Sequence, residues 1–264
     1  MEELVDGQGR YRSPPRRVSA FARAFPGARF YSRVVSIVVR ASRCAQRGAY
    51  DTAAWVASSR EILRALEEVG VRVEVDGAAG FRALDTPCVF VGNHMSTLET
   101  FVLPGIVASS RETTFVVKES LVDYPVFKHV MRARNPVTVG RDNPREDLKA
   151  VLEGGEARLR AGTSMIVFPQ TTRGLVFDPA AFNTIGVKLA RRAGVPVVPV
   201  ALKTDAWGNG KRLKDFGRID PAKTVHFAFG DPIPVVGRGA VEHQAVVDFV
   251  AAHLRRWGGQ VAGR

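Results

Sequence analysis

One histidine in the chain lies where an apolar run ends and a helix-like pattern begins. His94 follows the apolar residues 89–91, and Glu99 comes five residues later, about one turn into the predicted helix. Ligands of open α/β sheets bind at such strand ends, and the ordinary pKa of imidazole, about 6.5, suits it for proton transfer. A nearby carboxylate can fix the ring tautomer and stabilise the imidazolium that forms in a reaction. The pair therefore predicts a general base and the carboxylate that orients it.

The same segment has a second interpretation that needs no catalysis. Ser96 is followed three residues later by Glu99. This spacing matches the capping box, in which the two side chains satisfy backbone N–H groups at the start of a helix. The two interpretations can hold together, but the spacing alone favours the capping box over catalysis.

Cations follow three further apolar runs. Lys118 ends the run 114–117, Arg141 comes soon after 137–139, and Arg173 follows 165–168 in a polar loop. An arginine presented at a strand end can hold a phosphate through two parallel hydrogen bonds. Each cation alone is better explained as a solvated charge, and Arg173 alone as a residue of a surface turn. Together with His94 they predict a basic pocket around one candidate base.

The rest of the pattern predicts the element order that positions these residues. Apolar runs end at Gly92, Lys118, Gly140, Phe168, Lys203 and Phe229. Helix-like stretches lie between most of them, at 97–109, 125–134, 144–161 and 184–193, and a last one at about 240–257. This alternation is typical of an α/β domain with a mostly parallel or mixed central sheet flanked by helices, here over residues 49–264. Pro196 and Pro199 predict that part of the run 195–202 is an edge strand or irregular.

Residues 1–48 form a segment in which arginines far outnumber acidic residues. They hold ten arginines against Glu2, Glu3 and Asp6. Residues 1–27 predict a loosely ordered arm. Residues 28–47 predict an amphipathic helix, because one set of polar residues recurs every three or four positions: Arg29, Arg33, Ser36, Arg40, Arg43 and Arg47. Such a helix either lies on a membrane surface or packs on the domain with a solvated arginine stripe.

Charge and composition narrow the class of partner. The net charge is +12, from 38 Lys and Arg against 26 Asp and Glu, which predicts an anionic partner. Two isolated cysteines disfavour a disulfide scaffold or a zinc site. The absence of an 18-residue apolar run and of an apolar signal core predicts a cytoplasmic protein that lies on the inner face of the membrane. The sequence shows neither basic residues interleaved with aromatic ones nor a recognition helix, so nucleic acid is not the expected partner.

Four ordered blocks resemble the glycerolipid acyltransferase family, typified by bacterial 1-acylglycerol-3-phosphate acyltransferases. The blocks are Asn93-His94 with Glu99, Val137 to Arg141, Phe168 to Arg173, and Val195 to Val200. The likeness covers about residues 70–235. Two positions depart from the family pattern: Glu99 stands where the family usually has Asp, and Gln170-Thr171 stands where it has Glu-Gly.

The resemblance implies an acyltransferase that moves a fatty acyl group from acyl-CoA or acyl carrier protein to a lysophospholipid hydroxyl, foremost that of 1-acylglycerol-3-phosphate. It implies that His94 is the general base and that Glu99 holds it. It further implies that the acceptor is bound by Lys118, Arg141, Thr172 and Arg173. Neither a metal nor a cofactor beyond the acyl thioester is expected. The alternative is a noncatalytic or altered-substrate lipid-binding member of the same fold.

Overall fold

The computed structural model describes residues 4–140, 142–170, 172–210 and 213–263. The strands within these ranges are β1 Tyr11–Arg12, β2 Arg72–Asp76, β3 Val89–Gly92, β4 Thr113–Lys118, β5 Val137–Val139, β6 Ser164–Val167, β7 Val176–Phe177, β8 Val197–Lys203, β9 Thr224–Phe229 and β10 Gln260–Val261. The α-helices are α1 Ala20–Ala24, α2 Pro26–Gln46, α3 Thr52–Glu68, α4 Ala78–Arg82, α5 Leu98–Val107, α6 Phe127–Ala133, α7 Pro144–Arg160, α8 Ile185–Ala193 and α9 Ala240–Arg256. Short 3-10 helices occupy Glu119–Leu121 and Pro179–Ala181.

The central sheet brings the carboxyl ends of five strands to one edge. Its strand order is β1-β2-β9-β8-β3-β6-β4-β5. Strands β8, β3, β6, β4 and β5 run parallel to one another, whereas β9 runs antiparallel to β8 and β1 antiparallel to β2. The predicted mixed α/β sheet is thus confirmed. A separate small sheet pairs β7 with β10.

Helices cover both faces of this sheet, so its central strands β3 and β8 are apolar along most of their length. In β3, Phe90 joins the core shared with α2, α3 and α5, while Val89 and Val91 join the core shared with α7, α8 and α9. Strands buried on both faces read as continuous apolar runs rather than as alternating patterns. This explains why the strand ends were visible in the sequence.

In the run 195–202, the expectation of an irregular part holds for Val195 and Pro196, which precede β8, whereas the expectation of an edge strand is wrong. β8 lies in the middle of the sheet between β9 and β3. Pro199 pairs with Val91 of β3 on one side. On the other side it faces Gly230, just beyond the end of β9, and its carbonyl oxygen accepts the Gly230 N–H at 2.8 Å. The missing proline N–H is tolerated because it falls where the β9 ladder has ended.

The N-terminal residues are attached to the domain rather than forming a loose arm. β1 extends the sheet by pairing with β2. The Arg12 guanidinium donates to Asp76 at 2.7 Å, and the Tyr11 hydroxyl to Glu67 at 2.5 Å. The expectation of a loosely ordered arm is therefore wrong for the described part of residues 1–27, since cross-strand pairing and ion pairs hold it.

The predicted amphipathic helix exists as α2, and its apolar face is buried against the domain. Phe30, Val34 and Ile37 belong to the core that also contains α3 and α5. The guanidinium of Arg29 donates to Glu68 at 2.7 Å, and that of Arg40 to Glu61 of the same helix α3. The structure thus shows the packed alternative for this face, and α2 shares one core with the domain. Among the described residues, no helix combines the length and hydropathy that crossing a bilayer requires.

Candidate active site

The segment after β3 is held in place by a buried asparagine. The Asn93 side chain donates to the Leu202 carbonyl oxygen at 2.8 Å and accepts the Leu202 N–H at 2.8 Å. At the preceding position, a Cβ on Gly92 would lie 2.6 Å from the Val200 carbonyl oxygen, so only glycine lets β3 approach β8 this closely. These contacts fix where the next residue, His94, leaves the sheet.

Glu99 is fully buried, and donors converge on its carboxylate. His94 Nδ1 lies 2.9 Å from Glu99 Oε1, and the Met95 N–H donates to the same atom at 2.6 Å. The Ser96 N–H donates at 3.0 Å, and the Thr204 hydroxyl donates to Oε2 at 2.7 Å. Burial alone would raise the pKa of Glu99, but the hydrogen bonds and the attraction to His94 outweigh it and hold the pKa below its ordinary value. The carboxylate is therefore ionised at neutral pH.

Both interpretations of the Ser96–Glu99 spacing fit the geometry. The carboxylate accepts the Ser96 N–H, which is one half of a capping box. The other half is altered, because the Ser96 hydroxyl accepts the N–H of Leu98 at 3.1 Å instead of that of Glu99. One carboxylate thus supports the start of α5 and contacts the His94 ring.

The environment of His94 determines which ring nitrogen is basic. Because Nδ1 faces an ionised carboxylate, Nδ1 carries the proton and Nε2 is left to accept one. The ring stacks on Phe168 with a centroid distance of 4.5 Å and an interplanar angle of 5°. The side chain is 15% exposed. A ring held on its face and at Nδ1 presents Nε2 in a fixed direction.

The loop after β6 is hydrogen-bonded to the backbone of His94. The Gln170 side-chain oxygen accepts the His94 N–H at 2.7 Å. The His94 carbonyl oxygen accepts the Gly174 N–H at 3.0 Å. The loop therefore carries its polar residues to the candidate base. Thr171, one of the two departures from the family pattern in this loop, lies outside the described residues.

Arg173 reaches the site, but its guanidinium already has an anionic partner. Arg173 Nη1 lies 2.7 Å from the Asp215 carboxylate and also contacts the Thr97 hydroxyl. Thr97 in turn donates to Asp215 at 2.9 Å. Thr172 is exposed, and its hydroxyl lies 3.4 Å from Lys214 Nζ. Arg173 is thus not the isolated surface-turn residue of the alternative interpretation.

Of the other predicted cations, the described one, Lys118, is not brought into this network. Lys118 is exposed at the end of β4, and β6 separates that strand from β3. Two strand spacings correspond to about 10 Å across the sheet, so Lys118 shares the edge with His94 without contacting it. Arg141 lies outside the described residues. The structure thus brings Arg173 to Thr97, in the segment that carries His94 and Glu99, and leaves Lys118 two strands away.

Three residues of the site were not singled out in the sequence: Thr204, Thr97 and Asp215. Thr204 directly follows β8, the neighbour of β3, so its place at a strand end was a usable indication. Asp215 belongs to the segment 204–223, which has no regular pattern. Its contact with Thr97 spans 118 residues of chain, and nothing in the local sequence predicts it.

The family of the chain follows from a comparison of its sequence with family models. Residues 72–203 match the sequence model of the Acyltransferase family. This span holds all four sequence blocks and makes up half of the chain. The chain belongs to the Acyltransferase family. The resemblance inferred from the blocks is thereby confirmed at the level of the family.

Two curated relatives are similar to the chain over about half of its length. The 1-acyl-sn-glycerol-3-phosphate acyltransferase of Pseudomonas aeruginosa is 33% identical over 132 residues, covering 50% of this chain and 49% of that protein. A probable 1-acyl-sn-glycerol-3-phosphate acyltransferase of Mycoplasma genitalium is 35% identical over 136 residues, covering 50% of each chain. The chain thus matches about half the length of these relatives.

The comparison of folds extends over more of the chain. The crystal structure of the 1-acyl-sn-glycerophosphate (LPA) acyltransferase PlsC from Thermotoga maritima matches with a TM-score of 0.65 and 20% identity. It covers 91% of this chain and 98% of that one. At this identity the match shows that the two chains share a fold.

Proposed function

We propose that the protein transfers a fatty acyl group from an acyl thioester to a hydroxyl of a lysophospholipid, with 1-acylglycerol-3-phosphate as the principal acceptor. The observation that carries the proposal is the 2.9 Å contact between His94 Nδ1 and a buried, ionised Glu99. This contact leaves Nε2 as a base at the edge of the sheet. The names of the curated relatives indicate the same acceptor.

The reaction needs one proton transfer in each direction. The acceptor hydroxyl donates a hydrogen bond to His94 Nε2 and loses its proton there as its oxygen attacks the thioester carbonyl carbon. Glu99 stabilises the resulting imidazolium through Nδ1–H. The tetrahedral intermediate collapses, the C–S bond breaks, and the imidazolium returns the proton to the departing thiolate. The scheme uses no cofactor besides the acyl-CoA or acyl carrier protein that supplies the thioester.

The acceptor phosphate is assigned to Arg173. Its guanidinium lies beside the segment that carries His94, and arginine suits a phosphate through paired hydrogen bonds. Thr172, Lys118 and Arg141 are assigned to the binding of the same acceptor. Of these, Thr172 is next to Arg173 in the loop, and Lys118 acts from two strands away.

An apolar gap beside the His94 stacking partner is assigned to the acyl chain. It lies between the sheet and α5, and in this conformation it is too narrow for a water molecule. It is lined by Phe90, Gly92, Leu103, Val107, Ile166, Phe168, Val200 and Phe229. An entering chain would have to displace these side chains, and the apolar lining suits a hydrocarbon.

The remaining partner is an anionic membrane surface on the cytoplasmic side, where the lysophospholipid resides. The side chains of Phe21 and Phe25 are 58% and 60% exposed, and their rings lie 5.7 Å apart. Exposed arginines flank them at Arg17 and Arg23. Aromatic residues among cations are typical of a surface that enters the headgroup layer.

The test is an acyl-transfer assay with the full chain, a panel of lysolipids, and both acyl-CoA and acyl carrier protein donors, analysed by mass spectrometry. We expect a diacyl product from 1-acylglycerol-3-phosphate and much less from lysolipids that lack a terminal phosphate. Binding of lysolipid with no acyl transfer from either donor would contradict the proposal and favour the noncatalytic alternative.

A further inference from the structure

The guanidinium assigned to the acceptor phosphate is occupied by a carboxylate of the protein itself. Asp215 Oδ1 lies 2.7 Å from Arg173 Nη1 and accepts the Thr97 hydroxyl at 2.9 Å. An arginine and a hydroxyl that converge on one oxygen also form a suitable cradle for a phosphate oxygen. The Asp215 carboxylate therefore stands where an anionic ligand would be bound.

The segment that carries Asp215 is anchored on both sides of it. Trp207 Nε1 donates to the Asp215 carbonyl oxygen at 3.1 Å, and Trp207 pairs with Ile219 in an isolated bridge. The Tyr31 hydroxyl of α2 donates to the Gly217 carbonyl oxygen at 2.5 Å. The backbone at Asp215 is thus fixed near Arg173, so the ion pair is a built contact rather than a chance meeting of surface charges.

The two partners differ in their freedom to move. The Arg173 side chain is 17% exposed, whereas that of Asp215 is 41% exposed. The carboxylate can rotate into water while the guanidinium stays in the site. An arriving dianionic phosphate competes well, because its charge is larger than that of a carboxylate and it offers more acceptor oxygens.

We infer that Asp215 is an internal competitor for the acceptor phosphate: in the free enzyme its carboxylate occupies the place of the phosphate on Arg173 and Thr97, and it thereby weakens the binding of phosphorylated ligands alone. A ligand without a phosphate cannot displace the carboxylate and leaves Arg173 paired. The effect of this competition on the acceptor rests on the proposed function. The competition for an anion does not, and it is measurable without catalysis.

The first measurement is the affinity of the full chain for inorganic phosphate, determined by calorimetry. Asp215→Asn removes the competing charge and keeps the size of the side chain, so we expect phosphate to bind about five-fold more tightly, the effect of one partly exposed ion pair. Asp220→Asn is the matched control. It makes the same charge change in the same segment, and Asn can still accept the Ala222 N–H that Asp220 accepts at 3.1 Å. We expect Asp220→Asn to leave the phosphate affinity within about two-fold of wild type, because a distant exposed charge is largely screened by salt.

The outcomes separate the possible roles of Asp215. Weaker phosphate binding by Asp215→Asn would mean that Asp215 orients Arg173 and would overturn the inference. Equal binding by both proteins, or no binding by either, would also overturn it. The double variant Arg173→Ala with Asp215→Asn should not bind phosphate more tightly than wild type, because the tighter binding depends on the Arg173 guanidinium.

The second measurement is the KM for 1-acylglycerol-3-phosphate, which should fall about five-fold in Asp215→Asn without a rise in kcat. The KM for an unphosphorylated lysolipid should stay the same in this variant. An equal fall for both acceptors would show that Asp215 does not compete with the phosphate and would overturn the inference. If the wild-type chain transfers no acyl group while Asp215→Asn still binds phosphate more tightly, the proposed function fails and the competition for an anion stands.

Discussion

Glu99 illustrates how one side chain can be committed to several tasks. It accepts hydrogen bonds from the imidazole of His94, from backbone N–H groups at the start of α5, and from the Thr204 hydroxyl after β8. A buried carboxylate surrounded only by donors stays ionised. The same charge that stabilises the fold is therefore available to stabilise an imidazolium.

Glu99→Gln should lower turnover by about 100-fold or more, because the amide cannot supply the negative charge that stabilises protonated His94. The free energy of unfolding should also fall by about 1–3 kcal/mol, since the amide NH₂ then faces donors. Steady-state kinetics and urea denaturation measure the two effects.

Thr204→Val is the matched control for this variant. It removes one donor to the carboxylate and leaves the contact with His94 in place, so it should cost stability and retain turnover within several-fold. If Glu99→Gln is as active as Thr204→Val, the carboxylate serves the helix start alone.

The stability contributed by Glu99 should depend on pH in the acidic range. Its pKa in the folded protein lies below the ordinary value of 4.5, so on acidification the unfolded chain takes up the proton first. The contribution is complete above about pH 4.5 and is lost as the pH falls through the lower, folded-state pKa. The difference in unfolding free energy between wild type and Glu99→Gln should therefore shrink below that pH. Denaturation curves recorded from pH 7 to pH 3 test this, and a difference that grows towards low pH would refute it.

At the scale of elements, the site is assembled from segments that follow adjacent strands. β3 supplies His94, β6 supplies the loop with Gln170 and Arg173, and β8 supplies Thr204. Because the loop after β6 bonds to both the N–H and the carbonyl oxygen of His94, it positions the base as well as carrying the phosphate-binding residue.

Gln170 offers a test of that positioning. Gln170→Glu retains an oxygen that accepts the His94 N–H, so turnover should stay within a few-fold of wild type. Gln170→Ala leaves this N–H without its acceptor and frees the loop, and turnover should fall about ten-fold with an unfolding cost of about 1–3 kcal/mol. Steady-state kinetics of the two variants, measured together, test whether Gln170 positions His94. Equal activities would show that the 2.7 Å contact does not position His94.

The sequence predicted the elements better than it predicted the contacts between them. The strand ends at Gly92, Lys118 and Phe168 were recognisable because buried parallel strands form unbroken apolar runs. Pro199 led to the wrong prediction of an edge strand. A proline is tolerated there because the pairing with β9 ends at that point, and the sequence of the run does not show where this pairing ends. The contact of Asp215 with Arg173 could not be predicted from the sequence. It depends on a segment that has no periodic pattern and lies far along the chain from Thr97.

At the scale of the whole molecule, the basic N-terminal residues are both a structural and a surface feature. Phe30, Val34 and Ile37 of α2 are core residues, so removal of residues 1–47 would unfold the domain rather than test membrane binding. The exposed pair Phe21 and Phe25 can be changed without touching that core.

The double change Phe21→Ser and Phe25→Ser should reduce co-sedimentation with anionic vesicles about ten-fold, because each ring loses the free energy of burial in the headgroup layer. Val241→Ser is the control, since Val241 is 80% exposed on α9, which packs on the opposite face of the sheet from α2. Its binding should match that of wild type. Unchanged sedimentation of the double variant would remove these rings from the proposed membrane surface.

The most direct test of the account is the turnover of His94→Ala with an acyl thioester and 1-acylglycerol-3-phosphate. Loss of a general base typically lowers turnover about 10²- to 10⁴-fold, and we expect a loss in this range. Circular dichroism and thermal unfolding should show a folded protein, because the ring contributes one of several contacts to Glu99. A folded His94→Ala variant that transfers acyl groups at nearly the wild-type rate would contradict the account.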